Sequence, residues 1–88
     1  MNRTVYVNGQ YLPEEEAKVS IFDRGFLFAD SVYEVITVLS GKLVDWSGHI
    51  ARLKRSLDYL NIEFPFDEKT LVKLHRQIVK LNNLVDGL

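Results

Sequence analysis

Two hydrophobic rhythms divide this chain. Up to Asp45 the apolar residues fall in short runs suited to strands, and from Ile50 onward they recur every three to four positions, as on helices. Val5-Tyr6-Val7 and Gln10-Tyr11-Leu12 flank Asn8-Gly9, the positive-φ pair that a type I′ turn needs, and predict a hairpin. Pro13 to Asp30 reads as irregular, with Glu14-Glu15-Glu16 as a solvated run. Val32 to Leu39 predicts a strand with Tyr33, Val35, Thr37 and Leu39 on one face and Val32, Glu34, Ile36 and Val38 on the other. Neither row is polar, so both faces are expected to be covered. Lys42 to Asp45 returns as the second arm of a hairpin about Ser40-Gly41.

Ser47 is the predicted N-cap of a helix whose apolar stripe is Ile50, Leu53, Leu57 and Leu60. Phe64-Pro65-Phe66 breaks the chain, and Asp67 is placed to cap a second helix bearing Leu71, Leu74, Ile78 and Leu81, ending near Asn82-Asn83. Strands first and helices later predict an α+β domain, an antiparallel sheet of hairpins with two helices packed on it. Asp86-Gly87 is a turn signal followed by a single leucine, so the chain is expected to stop short of its next element.

Composition narrows the classes. Eighty-eight residues make one domain at most. The net charge of −1 lacks the basic excess of a nucleic-acid surface, and the absence of cysteine removes disulfides and thiolate zinc sites. No apolar run is long enough for a membrane span, and MNRTVYV lacks a signal peptide's apolar segment, so a cytoplasmic protein is expected.

Several side chains invite a chemical reading. Glu34, on a covered strand, needs a partner, because an unpaired buried carboxylate is costly. It reads as a structural anchor or a catalytic group. Tyr33 reads as a core or interface aromatic or as a ligand contact. Arg52 follows His49 by one helical turn, so the two share a face. That face could be an anion-binding edge, since guanidinium forks suit phosphate oxygens, or Arg52 could simply cover apolar surface with its stem. His49 and His75 lack the acidic company of a metal site, and no metal is expected. Asp23-Arg24-Gly25 reads as a turn with local charge pairing.

Taken together, Asp23-Arg24-Gly25, then Asp30 before Val32-Tyr33-Glu34-Val35, then His49-Ile50-x-Arg52-Leu53 resemble the amino-terminal part of the fold-type IV pyridoxal-phosphate aminotransferases. Within them the chain is most similar to the D-amino acid (D-alanine) aminotransferases, and the similarity covers practically its whole length. The resemblance implies that Arg52 holds the phosphate of pyridoxal 5′-phosphate, that Tyr33 lines the substrate pocket and helps bind the substrate carboxylate, and that Val35 shapes the side-chain pocket. A permanently charged fork suits a phosphate with close to two negative charges. Glu34 belongs to the motif without a secure catalytic role and is expected to be buried and paired on the opposite face.

The resemblance further implies a homodimeric, pyridoxal-phosphate-dependent enzyme that moves an amino group between D-alanine or related D-amino acids and 2-oxo acids, with no nucleic-acid or membrane partner. Branched-chain aminotransferases typically carry an arginine where this chain has Thr37, which favours the D-amino acid branch. The aminodeoxychorismate lyase branch shares the scaffold. A non-catalytic α+β dimerisation module is the alternative from another class. Ser31 stands where the D-amino acid enzymes usually have glycine, which implies modest strain if φ is positive there. The family's Schiff-base lysine belongs to a C-terminal domain beyond this chain, and Lys18, Lys42, Lys54, Lys69, Lys73 and Lys80 fall at other positions of the pattern. Residues 1–88 therefore read as a partial small N-terminal domain, with no catalytic residue of its own and no activity alone.

Overall fold

The computed structural model describes residues 2–88. Strand β1 (Thr4–Val7) pairs with β2 (Gln10–Pro13) in antiparallel register, Tyr6 opposite Tyr11. Asn8 and Gly9 both have positive φ, 50° and 87°, as a type I′ turn requires. The two tyrosine rings meet edge to face at 5.1 Å. A second, shorter hairpin joins β3 (Val38–Leu39) to β4 (Lys42–Leu43) through Ser40 and Gly41, again both at positive φ. The architecture is α+β, but the hairpins form two separate two-stranded sheets rather than one.

The predicted strand from Val32 is corrected. Only its last two residues join a ladder. Beyond a bond from Val44 N–H to the Thr37 carbonyl, no strand of the described chain pairs with residues 32–37. Burial still alternates with period two: Val32, Glu34, Ile36 and Val38 turn inward, while Tyr33, Val35, Thr37 and Leu39 are exposed. The expectation of cover on both faces fails for the outer row. Asp86-Gly87 is not a free turn: Gly87 exchanges both backbone bonds with Val38 (2.7 and 2.9 Å), and the Asp86 carboxylate accepts from Ser40 N–H.

The stretch read as irregular contains a short 3-10 turn at Glu14–Glu16 and a helix, α1 (Arg24–Phe28). Asp23 caps α1 by accepting from the Gly25 and Phe26 amides, and Arg24 pairs with Asp30 at 2.8 Å rather than with its neighbour. A β-carbon on Gly25 would lie 2.9 Å from Asp23 Oδ2 and 3.4 Å from Ser31 Cβ, so any other residue here would press on the capping carboxylate. Ala29, not Ser31, carries the left-handed conformation, and the strain considered for Ser31 does not arise.

Helix α2 (Trp46–Tyr59) starts from Asp45, itself left-handed, and not from a Ser47 cap. Helix α3 (Glu68–Leu81) is capped by Asp67, whose carboxylate accepts from Thr70 N–H. Both helices stop in the same way. Asn61 and Asn83 take positive φ, and the bonds Ile62 to Leu57 and Leu84 to Val79 close Schellman motifs. The core is small: Val38 of β3, Ile50 and Leu57 of α2 and Leu71 of α3 are the buried apolar residues. Asn82 ties the first hairpin to α3, accepting Thr4 N–H and donating to the Thr4 carbonyl, both at 2.9 Å.

Candidate functional site

The extended segment 32–37 lies against α2, and its alternation decides what each side chain can do. On the inner row Glu34 meets α2, and its side chain is 11% exposed. Ile50, buried beneath, seats the first turns of the helix, which puts His49 and Arg52 on the flank facing that carboxylate. Glu34 Oε1 lies 2.7 Å from His49 Nδ1 and accepts from Arg52 Nη2 at 2.8 Å, while Oε2 accepts from Arg52 Nε at 2.7 Å. The partner that a covered carboxylate requires is therefore a bidentate arginine, braced by a histidine. The bond from Arg52, then that from His49, pulls the Glu34 carboxyl down to about 2, and the same contact raises the Arg52 guanidinium. Glu34 is ionised throughout the physiological range.

Arg52 is less sheltered than its partner, at 59% exposure, and the carboxylate engages only one edge of its fork. With Nε–H and one Nη2–H committed, both Nη1 hydrogens and the second Nη2 hydrogen remain available to an anion. Tyr33 and Val35, on the outer row, are 84% and 49% exposed. A surface cavity of about 450 Å³ is lined by Tyr33, Glu34, Val35, Arg52 and Ser56. The three residues singled out in the sequence, Tyr33, Val35 and Arg52, thus border one space. They come from two elements: the extended segment supplies two, and α2 supplies the third.

The arrangement can hold an anion against a fixed cation beside an aromatic hydroxyl and a small apolar wall. A phosphate fits this donor set, because the open end of the fork offers parallel N–H groups. Two features escaped sequence reasoning. Ser56 stands one turn beyond Arg52 on the same helical face, and the i, i+4 spacing was the available signal. The Glu34–Arg52 pair was not identified, although the need for a partner at Glu34 and the shared face of His49 and Arg52 were both legible. None of the six lysines lines the cavity.

Comparison with known proteins places these residues in context. The family model for amino-transferase class IV matches residues 31–87, a span that includes Tyr33, Glu34, Val35, His49, Arg52 and Ser56. A D-alanine aminotransferase of Staphylococcus epidermidis is 39% identical over 83 residues, covering 94% of this chain and 29% of that protein. One from Staphylococcus haemolyticus is 35% identical over 83 residues, with the same coverage. An aminodeoxychorismate lyase of Bacillus subtilis is 39% identical over 85 residues, covering 94% of this chain and 28% of the relative. The chain spans less than a third of the length of these curated relatives.

Proposed function

Because the chain belongs to the class IV amino-transferase family, we propose that it forms part of a pyridoxal-phosphate enzyme moving an amino group between D-alanine, or a related D-amino acid, and a 2-oxo acid. The observation that carries this reading is the convergence of Tyr33, Val35 and Arg52 on one cavity. Bound pyridoxal phosphate supplies the electron sink that such chemistry needs. In this reading Arg52 holds the phosphate with the open end of its fork. Tyr33 donates its phenolic hydrogen to the substrate carboxylate, and Val35 limits the space for the substrate side chain. In this reading the chain alone is inert, because covalent attachment of the cofactor needs an amine supplied by another part of the enzyme.

Exposed Ile21, Phe22, Phe26 and Phe28, in and beside α1, support association into a dimer; a monomer mass by light scattering at high concentration would refute it. The similarity to an aminodeoxychorismate lyase supports a second reading on the same scaffold. Both readings share Arg52, and substrate separates them. In the full-length protein Arg52→Ala should weaken pyridoxal phosphate roughly thirtyfold to a hundredfold, as expected for a charge-assisted contact. An unchanged dissociation constant on dialysis removes Arg52 from the cofactor site. The wild type should aminate a 2-oxo acid at the expense of D-alanine. Consumption of aminodeoxychorismate with no turnover of D-alanine would establish the second reading instead.

A further inference from the structure

Glu34 has no task in that reading, yet it is the most firmly held side chain of the site. Both oxygens are engaged, by Arg52 twice and by His49 once. It sits on the inner row between Val32 and Ile36, and every hydrogen bond its side chain makes reaches α2. Glu34 takes the side edge, Nε with Nη2, which is the grip that leaves the end of the fork open.

We propose that Glu34 is a positioning residue for anion binding: by gripping Arg52 side-on, with His49 bracing the same carboxylate, it aims the remaining guanidinium N–H groups into the cavity bounded by Tyr33, Val35 and Ser56, where they take the cofactor phosphate. This rests on the reading above that Arg52 is the phosphate ligand.

Two effects of Glu34 oppose each other. Its negative charge offsets part of the attraction between Arg52 and an anion, whereas its grip removes rotamer freedom that an arginine 59% exposed would otherwise lose on binding. Positive charge is not scarce here, because Arg55 lines an adjoining cavity with Arg52, Ser56 and Tyr59. Bidentate capture of phosphate depends on the plane and direction of the fork, so orientation outweighs the lost charge. The low pKa of Glu34, about 2, keeps the grip intact at every working pH.

The test uses the full-length protein and reads binding rather than turnover: the dissociation constant of pyridoxal phosphate by dialysis, and that of inorganic phosphate as competitor. Glu34→Gln keeps the shape and loses the charged grip. It should weaken both probes roughly tenfold, the low end of what losing a ligand's supporting partner costs, and should add little to Arg52→Ala. Arg52→Lys keeps the charge but cannot be held by two parallel bonds, and should bind within a few-fold of Arg52→Ala. Unchanged or tighter binding by a folded Glu34→Gln overturns the proposal, as does an equal loss in the Arg52→Ala background. Should Glu34→Gln fail to fold, Arg52→Lys decides: binding as tight as wild type overturns the proposal, and the loss supports it. If Arg52→Ala leaves pyridoxal phosphate bound as tightly as wild type, the phosphate-ligand reading falls as well. If Glu34→Gln alone is without effect, that reading stands and the positioning role falls.

Discussion

Replacing Asn82 with alanine should detach the first hairpin from α3. The Asn82 side chain makes three hydrogen bonds, accepting Thr4 N–H at 2.9 Å and donating to the carbonyls of Thr4 at 2.9 Å and Ile78 at 2.8 Å. The Ile78 carbonyl keeps a bond from the Asn82 backbone amide at 3.1 Å, so losing the side-chain donor there costs little. Thr4 loses the partners of both its backbone groups, in a half-buried position. At roughly 0.5–1.5 kcal/mol net per bond, the two losses sum to about 1–3 kcal/mol. Backbone strain does not contribute, because Asn82 sits at φ −95°, where alanine is at ease. Asn82→Asp keeps the acceptor for Thr4 N–H but sets an anion against the Thr4 carbonyl, so it should fall at the upper end of that range.

Urea unfolding reads the total, followed by the fluorescence of Trp46, the only tryptophan. Its ring stands edge-on to His75 of α3 at 4.9 Å, so it reports on the packing of α2 against α3. Near-UV circular dichroism of the Tyr6–Tyr11 pair and exchange of the Thr4 amide read the hairpin itself. A loss under about 0.5 kcal/mol in both variants, with Thr4 exchange unchanged, would refute the assignment of Asn82 as the clamp.

Two further outcomes are expected. Tyr33→Phe in the full-length protein should raise KM for D-alanine or lower kcat/KM while leaving pyridoxal phosphate binding and stability nearly intact, since the side chain is 84% exposed; kinetics identical to wild type would reduce Tyr33 to a wall. The Glu34 carboxyl is depressed from its ordinary 4.5 to about 2 by Arg52 and then His49, and Asp67 is depressed from 3.8 by the Thr70 amide. Depressed carboxyls contribute stability that is fully present above their unfolded values and is lost as pH falls through the folded ones. Unfolding free energy should therefore decline between about pH 4.5 and 2, less steeply in Glu34→Gln; an identical decline in wild type and variant would contradict the ion pair.

What could be read from the sequence was local. Asn8-Gly9, Asp67 and the asparagine-rich end of α3 carry their own backbone chemistry, and each does in the structure what its residue type predicts. Helix α1 was missed because five residues are too few for an apolar period to show; what marks it is the Asp23 cap and the Arg24–Asp30 pair closing over it. Ser47 has the residue type of an N-cap, but α2 begins at Trp46, from Asp45 in a left-handed conformation that residue type alone does not reveal. Segment 32–37 misled for a different reason. Its composition is that of a strand, but a ladder needs a neighbour, and neighbours are decided by the rest of the chain. At the site, spacing brought His49 and Arg52 to one face and burial demanded a partner for Glu34. Joining those two facts required knowing that the segment lies against α2.

The alternation along 32–37 has a functional consequence. One extended segment presents the exposed Tyr33 and Val35 to the cavity, while Glu34, which also borders it, is held inward by His49 and Arg52 of α2. Outer residues can then change what the cavity accepts without disturbing the packing, because they make few contacts with the domain. An inner residue cannot change so freely: Glu34 pairs with Arg52 and His49 of the helix and itself borders the same cavity. Ile50 acts at one remove, since it lies between His49 and Arg52 in the chain and anchors their turn in the core. On the proposed reading, substrate preference can vary along the outer row, while the anion grip is tied to the fold by the inner one. Glu34 is the one polar member of an otherwise apolar row, and Arg52 and His49 of α2 meet it there. An apolar side chain at position 34 would pack against α2 but would leave the guanidinium of Arg52 with no fixed direction.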